Sequence, residues 1–242
     1  MVPEYLVLDF DGVIVDSAEE CFERSLEAYA DTQLSHVAPG YSACLRPLFL
    51  RYRYLVGPAA NFWDLMEAIS RCSLENEHGQ VPIVFSDLIV DRTQDTLSKR
   101  ERFICDFFKS RRNKINDCND LWLAQHRMYS QVNSLLSSVC THNIFIATMK
   151  DSESVIELLK HFGIPILEEN IFDNQYGSNK EIHIRKVLSK LECDPQNVLF
   201  VDDNSNHLKE VSGTGVMLAY ASWGYGLMPD PCTVDELKIE VL

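Results

Sequence analysis

The chain is short of positive charge. Its 242 residues carry 22 lysines and arginines against 36 aspartates and glutamates, a formal net charge of −14. Nucleic acid and anionic membrane surfaces recruit clustered Lys and Arg, so neither is expected as a partner, and the acidity reads as solubility. The eight cysteines at 21, 44, 72, 105, 118, 140, 193 and 232 include no Cys-x-x-Cys pair. They read as reduced, mostly buried thiols. Acids interrupt the N-terminal apolar segment, so no secretory signal is expected there, and no apolar run is long enough to span a membrane. Internal repeats and low-complexity tracts are also lacking. With 46% hydrophobic residues, the expectation is an ordinary globular protein of the cytoplasm.

The apolar pattern has two textures. From Ser17, a plausible N-cap with Glu19 and Glu20 behind it, to about residue 138 the spacing is helical. Helices are expected to about Asp31, over Leu45–Val56 with Pro47 in the first turn, and after Gly57-Pro58. A long one follows from about Ile83 to Lys114, a break at Asn116–Asp120, and a last one carries Leu121 to Leu136. No strand is expected in this stretch. The remainder alternates short apolar runs with helical segments. Strands are expected at Tyr5–Leu8, Asn143–Thr148, around Ile164–Phe172, at Asn197–Val201 and at Gly215–Tyr220. Helices are expected at Ser152–His161, Asn179–Leu191 and 205–212. Alternating strands and helices imply a Rossmann-like parallel sheet with helices on both faces, assembled from residues 1–16 and 140–242. Residues 17–139 form an all-α insert, placed where a lid over the carboxyl ends of the strands would stand.

The stretch that carries chemistry is Tyr5-Leu6-Val7-Leu8-Asp9-Phe10-Asp11-Gly12-Val13. A strand ends in two carboxylates two residues apart, which in extended chain face the same way. Two acids held close repel, so that one can stay ionised while the other carries a proton. A simple strand end and turn would account for one Asp-Gly but not for an acid spliced into the apolar run.

This stretch resembles the first motif of the haloacid dehalogenase superfamily of phosphohydrolases, and the phosphoglycolate-phosphatase-like members with a helical cap after that motif in particular. Three further stretches match in order. Ile144-Phe145-Ile146-Ala147-Thr148 is similar to the second motif, Ser178-Asn179-Lys180-Glu181 to the third, and Val198-Leu199-Phe200-Val201-Asp202-Asp203 to the fourth. The resemblance implies that Asp9 attacks phosphorus and that Asp11 serves as general acid and base, while Thr148 and Lys180 hold phosphoryl oxygens. It implies a Mg²⁺ site built from Asp9, Asp203 and the backbone carbonyl of Asp11, with Asp202 or a water supplying the last contact. Gly12 and Met149 would line the substrate side. The chain departs from the family pattern in two places: Met149-Lys150-Asp151 follows the threonine where an asparagine is common, and His207 stands where a later motif-four acid is found.

The implied activity is hydrolysis of a small phosphate ester through an aspartyl-phosphate. A phosphomutase would keep the same acids. A haloacid dehalogenase would lack Asp11, a phosphonatase would need a cap lysine, and a retired binding protein would have lost Asp9 or Lys180. In the insert, Leu45-Arg46-Pro47-Leu48-Phe49-Leu50-Arg51-Tyr52-Arg53-Tyr54 packs three arginines into ten residues. Arg46 and Arg53, seven apart, share a helix face and are candidates to read the substrate. The plainer reading has Tyr52 and Tyr54 packed in the insert and the arginines paired with surface acids.

Overall fold

The computed structural model describes residues 3–33, 41–75, 93–177 and 179–242. The loop around Pro39-Gly40, most of the polar connection at 73–82, the start of the long helix at Ile83 and Ser178 lie outside the described residues. The chain forms two units, Met1–Asp16 with Arg127–Leu242, and Ser17–His126.

The first unit holds β1 (Tyr5–Leu8), β2 (Val15–Asp16), β3 (Arg127–Met128), β4 (Ile144–Ala147), β5 (Ile171–Phe172), β6 (Val198–Asp202), β7 (Met217–Tyr220) and β8 (Glu240–Val241). Six of these make one parallel sheet in the order β5-β4-β1-β6-β7-β8, with Leu6 paired to Ile144 on one side and to Leu199 on the other. Strands buried on both faces read as continuous apolar runs, which is why β1, β4 and β6 were legible. Val7, Phe145 and Phe200 point to one face. There they pack with Ile184 and Val187 of α7 (Lys180–Leu191) and with Leu208 and Val211 of α8 (Ser205–Val211). Leu6, Leu8 and Ile146 alternate to the other face and are equally buried. The expected Rossmann-like class is observed.

The second unit is helical: α1 (Ala18–Gln33), α2 (Tyr41–Tyr52), α3 (Phe62–Glu75) and α4 (Gln94–Leu123). Its own core is aromatic. Phe22, Phe49, Phe62, Trp63, Phe103 and Phe107 are buried together, with Phe62 and Phe107 edge to face at 5.4 Å. Glu20 on α1 accepts two hydrogen bonds from Arg111 on α4, at 2.7 and 2.8 Å, and one from the Trp122 indole at 3.3 Å.

Several expectations are corrected. Pro47 lies inside α2, which begins at Tyr41, not in its first turn. The break expected at Asn116–Asp120 is a single non-helical residue, Cys118, within α4. The last helix is not continuous to Leu136: α4 stops at Leu123 and α5 spans Val132–Ser137. Between them β3 pairs antiparallel with β2, Asp16 opposite Arg127. The division between units therefore falls at His126/Arg127 rather than 139/140. A two-residue strand is too short to show alternation, so only its partner reveals it. The thiols are not mostly buried. Cys21 is, but Cys44, Cys105, Cys118, Cys140 and Cys232 are exposed. No described helix is long and apolar enough to cross a membrane.

Candidate active site

In the sheet, β4 and β5 lie on one side of β1, and β6, β7 and β8 on the other. Open parallel sheets bind ligands at such a reversal, outside the carboxyl ends of the strands. Asp9 follows β1 there, its amide bonded to the Val201 carbonyl of β6 at 2.9 Å. The turn behind it is closed by hydrogen bonds from the Gly12 amide to Val15 and from the Ile14 and Val15 amides to Phe10. Gly12 takes φ +93°, and a Cβ at this position would stand 2.4 Å from Asp203 Oδ2. Only glycine allows both the turn and the close approach.

Asp9 Oδ1 accepts from its neighbour's amide (Phe10, 2.7 Å) and pairs with Lys180 Nζ at 2.6 Å. Lys180 opens α7, where Asn179 caps the helix by accepting from the Ile182 amide. Its ammonium is fully enclosed, donating also to the Ala147 carbonyl at 2.6 Å and lying 3.6 Å from Asp202 Oδ2. Thr148 follows β4, with its amide on the Phe172 carbonyl and its Oγ1 accepting from the Lys150 amide at 3.1 Å. Met149, between them, is half-buried.

The acids at the end of β6 differ in their partners. Asp202 takes the Asn204 amide at 2.8 Å and His207 Nδ1 at 3.0 and 3.1 Å. Asp203 Oδ2 takes the amides of Tyr225 (2.6 Å) and Gly226 (3.1 Å) from the loop after β7. Burial would raise Asp202, but His207 and Lys180 hold it below the usual carboxylate range. Burial, with Asp202 and Asp9 nearby, pushes Asp203 up to about 7. Burial likewise lifts Asp9 to about 6, although Lys180 opposes the rise. Burial works against the charge on Lys180 and on His207, yet the acids around them win and raise both.

The structure thus brings Asp9, Asp11, Gly12, Thr148, Lys180, Asp202 and Asp203 to one end of the sheet. Ligand atoms of Asp9, Asp202 and His207 lie within 4.8 Å of one another, a spacing that could hold a metal ion. Arg46 and Arg53 are engaged in the helical unit. The Arg46 guanidinium pairs with Glu19. Arg53 is buried, donates to the Val56 carbonyl at 2.5 Å and stacks on Phe62 at 4.8 Å.

Two features escaped the sequence reading. Lys150 is buried, with Nζ 3.2 Å from Asp11 Oδ1. Its signal was its place two residues beyond the strand-final threonine, the same side in extended chain. The other is the loop Trp223-Gly224-Tyr225-Gly226, which holds Asp203; a Cβ on Gly224 would stand 2.3 Å from the Asp203 Cβ. Its signal was a Gly-x-Gly run just past a strand.

A family model of haloacid dehalogenase-like hydrolases matches residues 86–221. No curated protein matches the chain by sequence. Among solved structures, a predicted phosphatase from Clostridium acetobutylicum is similar with TM-score 0.60 and 16% identity, covering 100% of this chain and 94% of its own. A predicted phosphoglycolate phosphatase from Haemophilus somnus reaches TM-score 0.62 at 16% identity, over 96% of this chain and 92% of its own. A haloacid dehalogenase-like family hydrolase from Streptococcus pneumoniae gives 0.57 at 14%, over 98% and 91%. At such identities the likeness is one of fold.

Proposed function

Because the chain belongs to the haloacid dehalogenase-like hydrolase family, we propose that it is a Mg²⁺-dependent phosphatase of a small phosphorylated metabolite, working through an aspartyl-phosphate on Asp9. The observation that carries this reading is the Asp9–Lys180 pair at 2.6 Å at the head of β1, with Asp11 and Thr148 at the same end of the sheet.

The donor set fits a hard divalent cation. Asp203 takes two amides on Oδ2 and is pushed up by burial and then by its acidic neighbours, the condition of a carboxylate that a cation would relieve. Asp9, Asp203 and the Asp11 carbonyl would hold the ion. Asp202, already shared between Lys180 and His207, would stand behind them. Mg²⁺ in that place offsets repulsion between the acids and an anionic substrate.

Lys180 and the Phe10 amide both engage Asp9 Oδ1. An Asp9 oxygen attacks phosphorus, the bond to the leaving oxygen breaks, and that oxygen takes the Asp11 proton and departs as an alcohol. The Asp11 carboxylate then takes a proton from water, whose oxygen attacks the same phosphorus and frees Asp9 with release of inorganic phosphate. Thr148 and Lys180 steady the phosphoryl oxygens. Of the insert arginines, Arg46, whose side chain is half exposed, is the better candidate to read a leaving group.

Hydrolysis of p-nitrophenyl phosphate tests the reading. Activity is expected with Mg²⁺, lost on chelation and abolished in Asp9→Asn. An Asp9→Asn variant as active as the wild type, or full activity in excess chelator after dialysis, overturns it. A panel of phosphorylated metabolites then identifies the substrate.

A further inference from the structure

Asp9 has its lysine in Lys180, and the structure gives Asp11 one as well. Lys150 is 3% exposed as a residue, and its Nζ lies 3.2 Å from Asp11 Oδ1 and 3.5 Å from Oδ2. An ammonium is rarely enclosed to this degree unless something compensates for the lost water. The stem is aimed by its own backbone. The Lys150 amide donates to Thr148 Oγ1 at 3.1 Å, so the loop leaving β4 is tied to the threonine at the strand end. Asp11 sits in the turn around Gly12, its side chain 18% exposed.

We propose that Lys150 is a positioning residue: it holds the Asp11 carboxyl in the one orientation from which it can serve the leaving oxygen. This rests on the phosphatase reading above, in which Asp11 is the proton donor. Misplacing a reacting group by about an ångström costs on the order of 10²-fold in rate. The loss from removing Lys150 is therefore of that size where a proton must be delivered, and much smaller where it need not be. An alkoxide leaving group needs the proton; nitrophenolate departs without it.

The experiment measures kcat/KM, which covers the steps through breakage of the ester bond, for an alkyl phosphate and for p-nitrophenyl phosphate. The proteins are the wild type, Lys150→Met, Asp11→Asn and the double variant, each checked for folding by thermal melting. In Lys150→Met the alkyl ester is expected to lose about 10²-fold and the aryl ester much less. The double variant is expected to be no worse than Asp11→Asn alone, since Lys150 acts through Asp11. Lys150→Gln, which keeps a donor, should recover part of the loss and replaces Lys150→Met if that variant does not fold. Equal losses on both esters, additive losses in the double variant, or no loss on the alkyl ester overturn the proposal. If the wild type hydrolyses neither ester, the phosphatase reading itself fails. A crystal structure of Lys150→Met then decides on Lys150 alone: a displaced Asp11 carboxyl supports the positioning role, and an unmoved one overturns it.

Discussion

Asp202 shares its carboxylate among His207, Lys180 and the Asn204 amide, while Asp203 rests on two backbone amides, with no ion pair to it among the described residues. Adjacent in sequence, the two acids should therefore fail differently. Asp203→Ala is expected to weaken Mg²⁺ binding more than Asp202→Ala, as read by calorimetric titration. The opposite order would assign the ion to the cluster of Asp9, Asp202 and His207. Asp202→Ala instead leaves His207 without its carboxylate, while Lys180 keeps Asp9 at 2.6 Å; breaking a buried pair in this way typically costs about 3–5 kcal/mol, to be read as a fall in stability against urea. The paired acids were legible in the sequence because each pair ends an apolar run. Which of the two acids is saturated was not, because it depends on His207 one helical turn further on and on amides from a loop beyond the next strand.

At the scale of elements, what was legible is what local pattern controls. Tyr5–Leu8 and Val198–Asp202 are apolar runs of strand length, and Asp151 and Gly163 bracket α6 (Ser152–Phe162) as cap and left-handed stop. β2, β3 and β8 are two residues each and exist only through their partners. The junction of α3 and α4 shows a further non-local effect. Asp64, in the first turn of α3, is paired with Arg100 of α4 at 2.8 Å, yet burial outweighs the arginine and lifts it to about 6. The folded state then holds this proton more tightly than the unfolded chain. Stability falls as pH rises from about 4 through 6, because an ionised Asp64 is tolerated less well folded than unfolded. Asp64→Asn should remove that dependence. At pH 7 it is expected to be more stable than the wild type by on the order of 1 kcal/mol, allowing for solvent screening of the pair, and at pH 4 no more stable. Urea midpoints at the two pH values check this, and a variant less stable at pH 7 would mean that the ion pair outweighs burial.

At the scale of the molecule, the sheet unit and the helical unit have separate cores that share no residue, one built on Val7, Phe145 and Phe200, the other on Phe49, Phe62 and Phe107. The helical unit is one continuous insert, Ser17–His126, and its two ends leave the sheet unit through β2 and β3. There Asp16 is directly opposite Arg127, with an ion pair of 3.1 Å and the Tyr225 hydroxyl on Asp16 at 3.3 Å. Opposed residues of an antiparallel pair are the distance that a two-residue hairpin turn spans. Deleting Ser17–His126 and joining Asp16 to Arg127 through Asn-Gly should therefore give a sheet unit that folds, with a cooperative melting transition by circular dichroism. Since Asp9, Asp11, Thr148, Lys180 and Asp203 all remain in it, Mg²⁺-dependent hydrolysis of p-nitrophenyl phosphate is expected to persist. Discrimination should go: KM for the best substrate of the metabolite panel is expected to rise, while KM for the aryl ester changes little. A deletion variant without a melting transition would mean that the sheet unit depends on the insert for its stability. One that folds and keeps the full-length preference among substrates would mean that the helical unit, Arg46 included, takes no part in choosing them.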